Sequence, residues 1–173
     1  PHQLRVAGEA LRRGQLLRLV IETSPDPVFV KNRESQILFA NPATLRAIGR
    51  PADRVIGHSD REFYGDPTHG LAIEANDRRI MERGVEEVVE ETVPSPDGSR
   101  VFLSTKTPWR DSTGQVIGLV GIARDITQRK RLEIAKLQAE RLAVVGAMSA
   151  KLAHEIRNPL SSIVLNIDLV NDE

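Results

Sequence analysis

The sequence predicts an α+β fold: a five-stranded antiparallel sheet with helices on one face, flanked by an N-terminal amphipathic helix and a long C-terminal coiled-coil-like helix. Three observations predict it. Two short β-type runs precede a group of helical segments, and three longer β-type runs follow that group. The later runs are separated by Pro96-Asp97-Gly98 and Ser112-Thr113-Gly114, turn sequences in which Gly supplies positive φ and Pro presets the corner. From Ile126 there is no proline until Pro159, and apolar or small residues recur at alternating spacings of three and four, the signature of one long helix.

Each element has a local reason. Leu4, Ala7, Leu11, Leu17, Val20 and Ile21 fall at helical spacing, predicting an amphipathic helix over residues 4–21. Ser24-Pro25-Asp26-Pro27 ends it, because Pro25 disfavours helical geometry at Ser24 and neither proline can donate a helix hydrogen bond. Val28–Val30 and Gln36–Ala40 read as strands of a hairpin around the polar stretch Lys31–Ser35. Asn41-Pro42 predicts the start of a helix, with Asn41 as N-cap and Pro42 at the first helical position, ending near Gly49. Asp66-Pro67 repeats the device for a helix running to Arg83, closed by Gly84. Glu86–Val93, Arg100–Pro108 and Gln115–Arg124 are the three later strands.

The long seam runs through Leu132, Ala135, Ala139, Leu142, Gly146, Ser149, Ala153, Ile156, Leu160, Ile163, Ile167 and Val170. A heptad-like stripe of that length predicts packing against a copy of itself, hence a homodimer. His154 lies next to seam residue Ala153 but off the seam. Its imidazole is expected to project toward solvent, accessible to another domain, with Asn158 one turn later on the same face. Glu155 can orient the ring or accept its proton, and Pro159 is expected to bend the helix just beyond.

Composition narrows the function. Lys+Arg and Asp+Glu are both 24 in 173 residues, so nothing in the balance suggests a nucleic-acid partner. Cysteine is absent, which excludes disulfides, thiolate metal sites, a cysteine nucleophile and a cysteinyl flavin adduct, and fits a cytoplasmic setting. The most apolar run, Val116–Ala123, is far shorter than the roughly 20 residues of a membrane-spanning helix, so no membrane span is expected in this segment. Because the chain begins at Pro1 and not Met, it reads as an excised piece of a longer protein, whose flanks could anchor it to a membrane. The basic clusters Arg12-Arg13 and Arg129-Lys130-Arg131 read as solvated helix faces, the second interleaved with Glu133 and Glu140.

Over residues 15–128 the order of elements resembles a PAS domain. The residues that carry the resemblance are Ser24-Pro25-Asp26-Pro27-Val28-Phe29-Val30, Phe39-Ala40-Asn41-Pro42-Ala43, and Gly121-Ile122-Ala123-Arg124-Asp125-Ile126-Thr127. Asp125-Ile126-Thr127 is similar to the family's exit motif, where the last strand hands over to a signalling helix. His154-Glu155-Ile156-Arg157-Asn158-Pro159-Leu160 resembles the phosphoacceptor box of sensor histidine kinases, which follow a PAS domain and a coiled-coil linker with such a box. A zinc-protease helix is excluded, since His-Glu-x-x-His would need histidine where Asn158 stands.

The resemblance divides the chain into an N-terminal signalling helix (1–23), a PAS sensor domain (24–127), a coiled-coil linker (128–145) and a truncated first dimerisation and phosphoacceptor helix (146–173). It implies that His154 is the phosphoacceptor, Glu155 its acid-base partner, and Asn158 a residue that positions water for dephosphorylation of the regulator. ATP would be bound by a kinase domain outside this chain, acting in cis or in trans, and the phosphoryl group would pass to an aspartate of a response regulator. The chain alone is therefore expected to be inactive.

The PAS ligand stays open, including none. His69 is the candidate haem ligand, four residues before Ile73 on the inward stripe, with His58 second; a helix-start histidine near the surface is the plainer reading of His69. Trp109 and Phe102 read as sheet packing. No metal site is expected. A reading from another class is a non-enzymatic PAS module for ligand binding or dimerisation, with a coiled-coil tail carrying an incidental histidine. Whether an ATP-binding domain follows Glu173 in the parent protein separates the two.

Overall fold

The computed structural model describes residues 2–64 and 67–171, with side chains described for residues 9, 11–64, 67–149, 151–153, 155 and 156. It divides into two compact units, residues 1–127 and 128–173, and each is described by itself.

The first unit opens with helix α1 (His2–Thr23). Strands β1 (Val28–Asn32) and β2 (Ile37–Ala40) form the expected hairpin, with an irregularity between Val30 and Lys31 in their pairing. Helix α2 (Pro42–Ile48) follows, then a single 3-10 turn (Ala52–Arg54), the short helix α3 (Asp60–Phe63) and helix α4 (Pro67–Arg83). The last three strands are β3 (Glu87–Ser95), β4 (Gly98–Arg110) and β5 (Val116–Asp125). The sheet order is β2-β1-β5-β4-β3, antiparallel at every step. This is the five-stranded antiparallel sheet the sequence predicts, and it places the first hairpin beside the last strand.

Asn41 ties the entry of the domain together. Its side-chain oxygen accepts from the Thr44 backbone N–H (2.9 Å), as an N-cap should, and also from the Val28 N–H (3.0 Å). Its amide nitrogen donates to the Ile21 and Asp26 carbonyls, both at 3.0 Å. One buried side chain thus joins the end of α1, the Ser24–Pro27 break, the first residue of β1 and the start of α2. Asp66, the expected cap of α4, lies outside the described residues. Gly49 closes α2 in the left-handed region (φ 75°), its N–H bonding to the Leu45 carbonyl at 2.8 Å.

The core lies between the sheet and the helices. Ile73, Val93, Phe102 and Ala123 form one buried cluster; Ile37, Val55 and Phe63 form a second, and Tyr64 packs against both. Phe102 therefore faces the core. Trp109, seven residues along the same strand, falls on the opposite face and is 40% exposed. Gly121 lies opposite Phe29, and a Cβ there would stand 2.2 Å from the Phe29 ring, so the ring's position requires a glycine.

The joint at the end of β5 is held by three bonds. Asp125 Oδ1 accepts from the Thr127 N–H (2.9 Å), Thr127 Oγ1 accepts from the Val101 N–H (2.9 Å), and the Ile126 N–H donates to the Val101 carbonyl (2.9 Å). Ile126, between them, is buried. Asp125 ends the strand and accepts the N–H of the first helical residue, while the Thr127 hydroxyl pins that residue to β4.

Helix α5 spans Thr127–Asn171, 45 residues, about 68 Å at 1.5 Å per residue. Within the second unit taken alone, Leu132, Leu142, Met148, Leu152 and Ile156 are exposed.

Candidate functional site

Two places in the chain are candidates for chemistry: a buried charged network beside the sheet and the His154 segment of α5.

The first was not legible in the sequence reading, which placed Lys31 in a polar turn. In the structure β1 extends to Asn32, and Lys31 is buried on the inner face of the sheet. Its Nζ donates to Asp60 Oδ2 on α3 (2.5 Å) and to Asp77 Oδ2 on α4 (2.7 Å). Lys106 is fully buried on β4, where Phe102, Ser104 and Lys106 alternate inward. Its Nζ donates to Asp77 Oδ1 and to Glu91 Oε1 on β3, both at 2.6 Å. The result is a continuous chain, Asp60–Lys31–Asp77–Lys106–Glu91, that links three strands to two helices through charge-assisted bonds. The Lys31 ammonium also lies 5.2 Å from the centre of the Phe29 ring.

The environment sets the protonation of each member. Burial alone would push the Lys31 ammonium down, but the Asp60 and Asp77 carboxylates outweigh it and hold its pKa well above the ordinary lysine value. Burial likewise works against the charged form of Asp77, yet the two lysines hold its carboxyl below the usual range. Asp60 goes the other way: burial, reinforced by the nearby Asp77 charge, raises its pKa despite Lys31. The Tyr64 hydroxyl is pushed up, first by burial and then by the charge of Asp60.

This network forms the polar wall of a cavity of about 60 Å3. Lys31, Asp60, Glu91 and Ser104 lie on that wall, and Phe29, Ile37, Ile73, Val93 and Phe102 supply apolar sides. The space suits a few waters or a ligand of a few non-hydrogen atoms. A second cavity, of about 180 Å3, is lined by His69, Ile73, Asn76 and Glu91. The candidate haem ligand His69 thus sits at the start of α4, half-buried, and lines this second cavity and not the Phe29–Phe102 pocket. His58 is on the surface, its Nδ1 3.6 Å from Glu62 Oε1. Glu62 reaches back to the Ser59 N–H (2.6 Å) to cap α3, and that bond first, then the Ser59 side chain, lowers its pKa. His69 thus shares its cavity with Glu91, a member of the Lys31–Lys106 network, whereas His58 pairs with Glu62. Among the described residues there is no cluster of metal-ligating side chains.

On α5, His154, Glu155 and Asn158 lie within one continuous helix. The side chains of His154 and Asn158 lie outside the described residues, as do those of Arg157 and Pro159. Glu155 is exposed, 3.8 Å from the Lys151 ammonium one turn earlier. No helix among the described residues is long and apolar enough to cross a membrane.

Comparison with known proteins places these features. The chain is 29% identical over 154 residues to the aerobic respiration control sensor protein ArcB of Escherichia coli, covering 88% of this chain and 19% of ArcB. It is 32% identical over 161 residues to the signal transduction histidine-protein kinase AtoS of E. coli, covering 90% of this chain and 25% of AtoS. The chain therefore spans a quarter or less of these relatives. The solved PAS domain from Bordetella pertussis BvgS superposes with a TM-score of 0.58 at 25% identity, covering 76% of this chain and 98% of that one. The family model described as the PAS fold matches residues 21–131. With most of its length matched by that model and its five strands in that fold, the chain belongs to the PAS-fold family, and its PAS domain is homologous to those of sensor histidine kinases.

Proposed function

We propose that this chain is the sensory and phosphoacceptor portion of a two-component sensor histidine kinase, working as a cytoplasmic homodimer. The observation that carries the proposal is the continuity of α5. The helix that leaves the PAS sheet at Asp125-Ile126-Thr127 is the same helix that bears His154-Glu155-Ile156-Arg157-Asn158-Pro159. The kinase relatives support it, as do the exposed apolar side chains between Leu132 and Ile156, which need a partner helix.

In this proposal a ring nitrogen of His154 attacks the γ-phosphorus of ATP held by a catalytic domain outside this chain. The bond to ADP breaks, ADP leaves, and Glu155 takes the imidazole proton. The phosphoryl group then passes from the imidazole to an aspartate carboxylate of a response regulator. Asn158, three residues after Glu155, positions water for the reverse duty, hydrolysis of the regulator's acyl phosphate.

The test is phosphorylation with radiolabelled ATP, with the parent's ATP-binding domain added in trans. Label is expected on the chain in an acid-labile, alkali-stable form. His154→Gln is expected to abolish it, and substitution of His2, His58 or His69 to leave it. Label persisting in His154→Gln would refute the assignment.

A further inference from the structure

The charges on the cavity wall do not balance. Two ammonium groups, Lys31 and Lys106, face three carboxylates, Asp60, Asp77 and Glu91. Asp77 spends one oxygen on each lysine, whereas Asp60 and Glu91 each give a lysine only one of theirs. The neighbouring cations are already committed. Arg61 is paired with buried Glu74, and Arg79 and Arg83 both engage Glu87 nearer the surface. One negative charge is therefore in surplus, and its two incompletely used carboxylates are the two that line the apolar cavity. A buried charge without a counter-charge is expensive, so the site is completed by a proton or by a cation that enters the cavity.

The cavity's other walls decide what kind of cation. A hard divalent ion such as Ca2+ or Mg2+ needs six or more oxygen ligands. Zn2+ needs a cluster of His, Cys or carboxylate ligands that the described residues do not form. Apart from this polar edge the walls are hydrocarbon: Phe29, Ile37, Ile73, Val93 and Phe102. An organic ammonium uses both kinds of wall. Its N–H groups bond carboxylate oxygens, its apolar part takes the hydrocarbon side, and the Phe29 face already has an ammonium near it. We propose that the PAS cavity is a receptor site for a small primary amine in its ammonium form, the charged end held by Asp60 and Glu91 and the apolar end by Phe29, Ile73 and Phe102. The same chemistry disfavours carboxylate ligands, which would add to the surplus. This inference rests on the reading of the domain as a sensor and names the class of signal it would take.

The experiment uses the intact chain and three probes of nearly equal size: n-propylammonium, 1-propanol and propionate. Binding is followed through backbone amide chemical shifts of Lys31, Asp60 and Glu91, with Trp109, on the opposite face of the sheet, as the control. Propylammonium is expected to bind with a dissociation constant of about 1 mM, at least about tenfold more tightly than propanol, while propionate leaves the cavity amides unmoved. Asp60→Asn and Glu91→Gln are each expected to weaken propylammonium by about fivefold or more. Propionate binding as well as propylammonium, equal binding of all three, or no shift at the cavity amides would each overturn the proposal. So would undiminished affinity in both variants. If a variant does not fold, which its amide dispersion reveals, the three-probe comparison on the unsubstituted chain still decides. No phosphoryl transfer enters the measurement, so failure here leaves the role of His154 standing, and failure of the His154 test leaves this site standing.

Discussion

Replacing Asp77 by Asn should cost the PAS domain much of its stability. The Asp77 carboxylate is fully buried, and its two oxygens hold two lysines from different strands, Lys31 at 2.7 Å and Lys106 at 2.6 Å. Asparagine matches it in size but keeps one acceptor and turns an NH2 group toward one of the ammoniums. A charge-assisted bond contributes about 1.5–3 kcal/mol, and removing one partner of a buried pair costs about 3–5 kcal/mol because a charge is left uncompensated. Against a net stability of about 5–15 kcal/mol, a loss near 4 kcal/mol is decisive. Trp109 is the chain's single tryptophan and lies on β4, so its fluorescence in urea reports on this unit and not on α5. With a slope of about 2 kcal/mol per molar urea, the midpoint should fall by about 2 M. Asp97→Asn is the matched control: the same change at an 80% exposed side chain, paired with Arg100 at 2.9 Å, where a surface pair contributes about 0–1 kcal/mol. If Asp77→Asn lowers the midpoint no more than Asp97→Asn does, the network is not a determinant of the fold.

Three further outcomes are expected. Asn41→Ala removes the α2 cap and leaves the Val28 N–H without its acceptor, and should cost about 2–4 kcal/mol in the same urea assay; a loss under about 1 kcal/mol would contradict the hub role. Gly118→Ala should destabilise more than Gly121→Ala: the added Cβ would stand 2.1 Å from the Lys31 carbonyl oxygen, which is backbone, whereas at Gly121 it meets the Phe29 ring, which can turn. The measurement is the pair of urea midpoints, and equal losses would show that the β1–β5 backbone gives way. With pH, Asp77, held below its ordinary value, contributes stability above the unfolded pKa near ~3.9 that is lost as pH falls through its folded value. Asp60, raised mainly by burial, contributes in the opposite sense, costing stability as pH rises from ~3.9 through its folded value. Urea midpoints measured across pH should therefore fall steeply in acid, and Asp60→Asn should remove the decline on the upper side; a variant curve parallel to the parent's would rule out Asp60 as its source.

The order of elements was legible because its signals are local. Asn41-Pro42 announces a helix through the cap bond it makes, and Gly98 and Gly114 announce turns because each takes positive φ, 108° and 84°. Helix α3 has no such signal in its period, being four residues long; Ser59-x-x-Glu62, a capping-box spacing, was the cue to it. The charged network was hidden for another reason. A lysine after a strand, or an aspartate in a helix, is usually solvated, so Lys31 reads as turn and Asp77 as surface. Only the partners say otherwise, and they lie far away in sequence: 46 residues separate Lys31 from Asp77 and 29 separate Asp77 from Lys106. Two period arguments pointed there. Asp77 falls between Ile73 and Ile80 on the buried stripe of α4, and Lys106 follows Phe102 and Ser104 on the inward face of β4. The role proposed for His154, by contrast, rests on the residues around it in the sequence, and the side chain itself lies outside the described residues.

The network and the joint that starts α5 meet on one strand. Lys106, at the centre of the network, and Val101, whose backbone bonds both Ile126 and Thr127, are five positions apart on β4. Between them β4 pairs with β5 without interruption, Phe102 opposite Asp125 and Lys106 opposite Gly121. A ligand shifts an equilibrium only by the difference between its affinities for two states. An occupant of the cavity acts on β4 through the residues of that strand that it touches, Phe102 and Ser104, and through the Lys106 bonds to Asp77 and Glu91. One that draws Glu91 away from Lys106 alters the anchoring of the strand whose far end holds Asp125 and Thr127, the start of α5. The ammonium proposed for the cavity bonds the same Glu91 carboxylate that holds Lys106, so its binding would act on that anchor of β4, with the joint at Thr127 at the far end of the same strand.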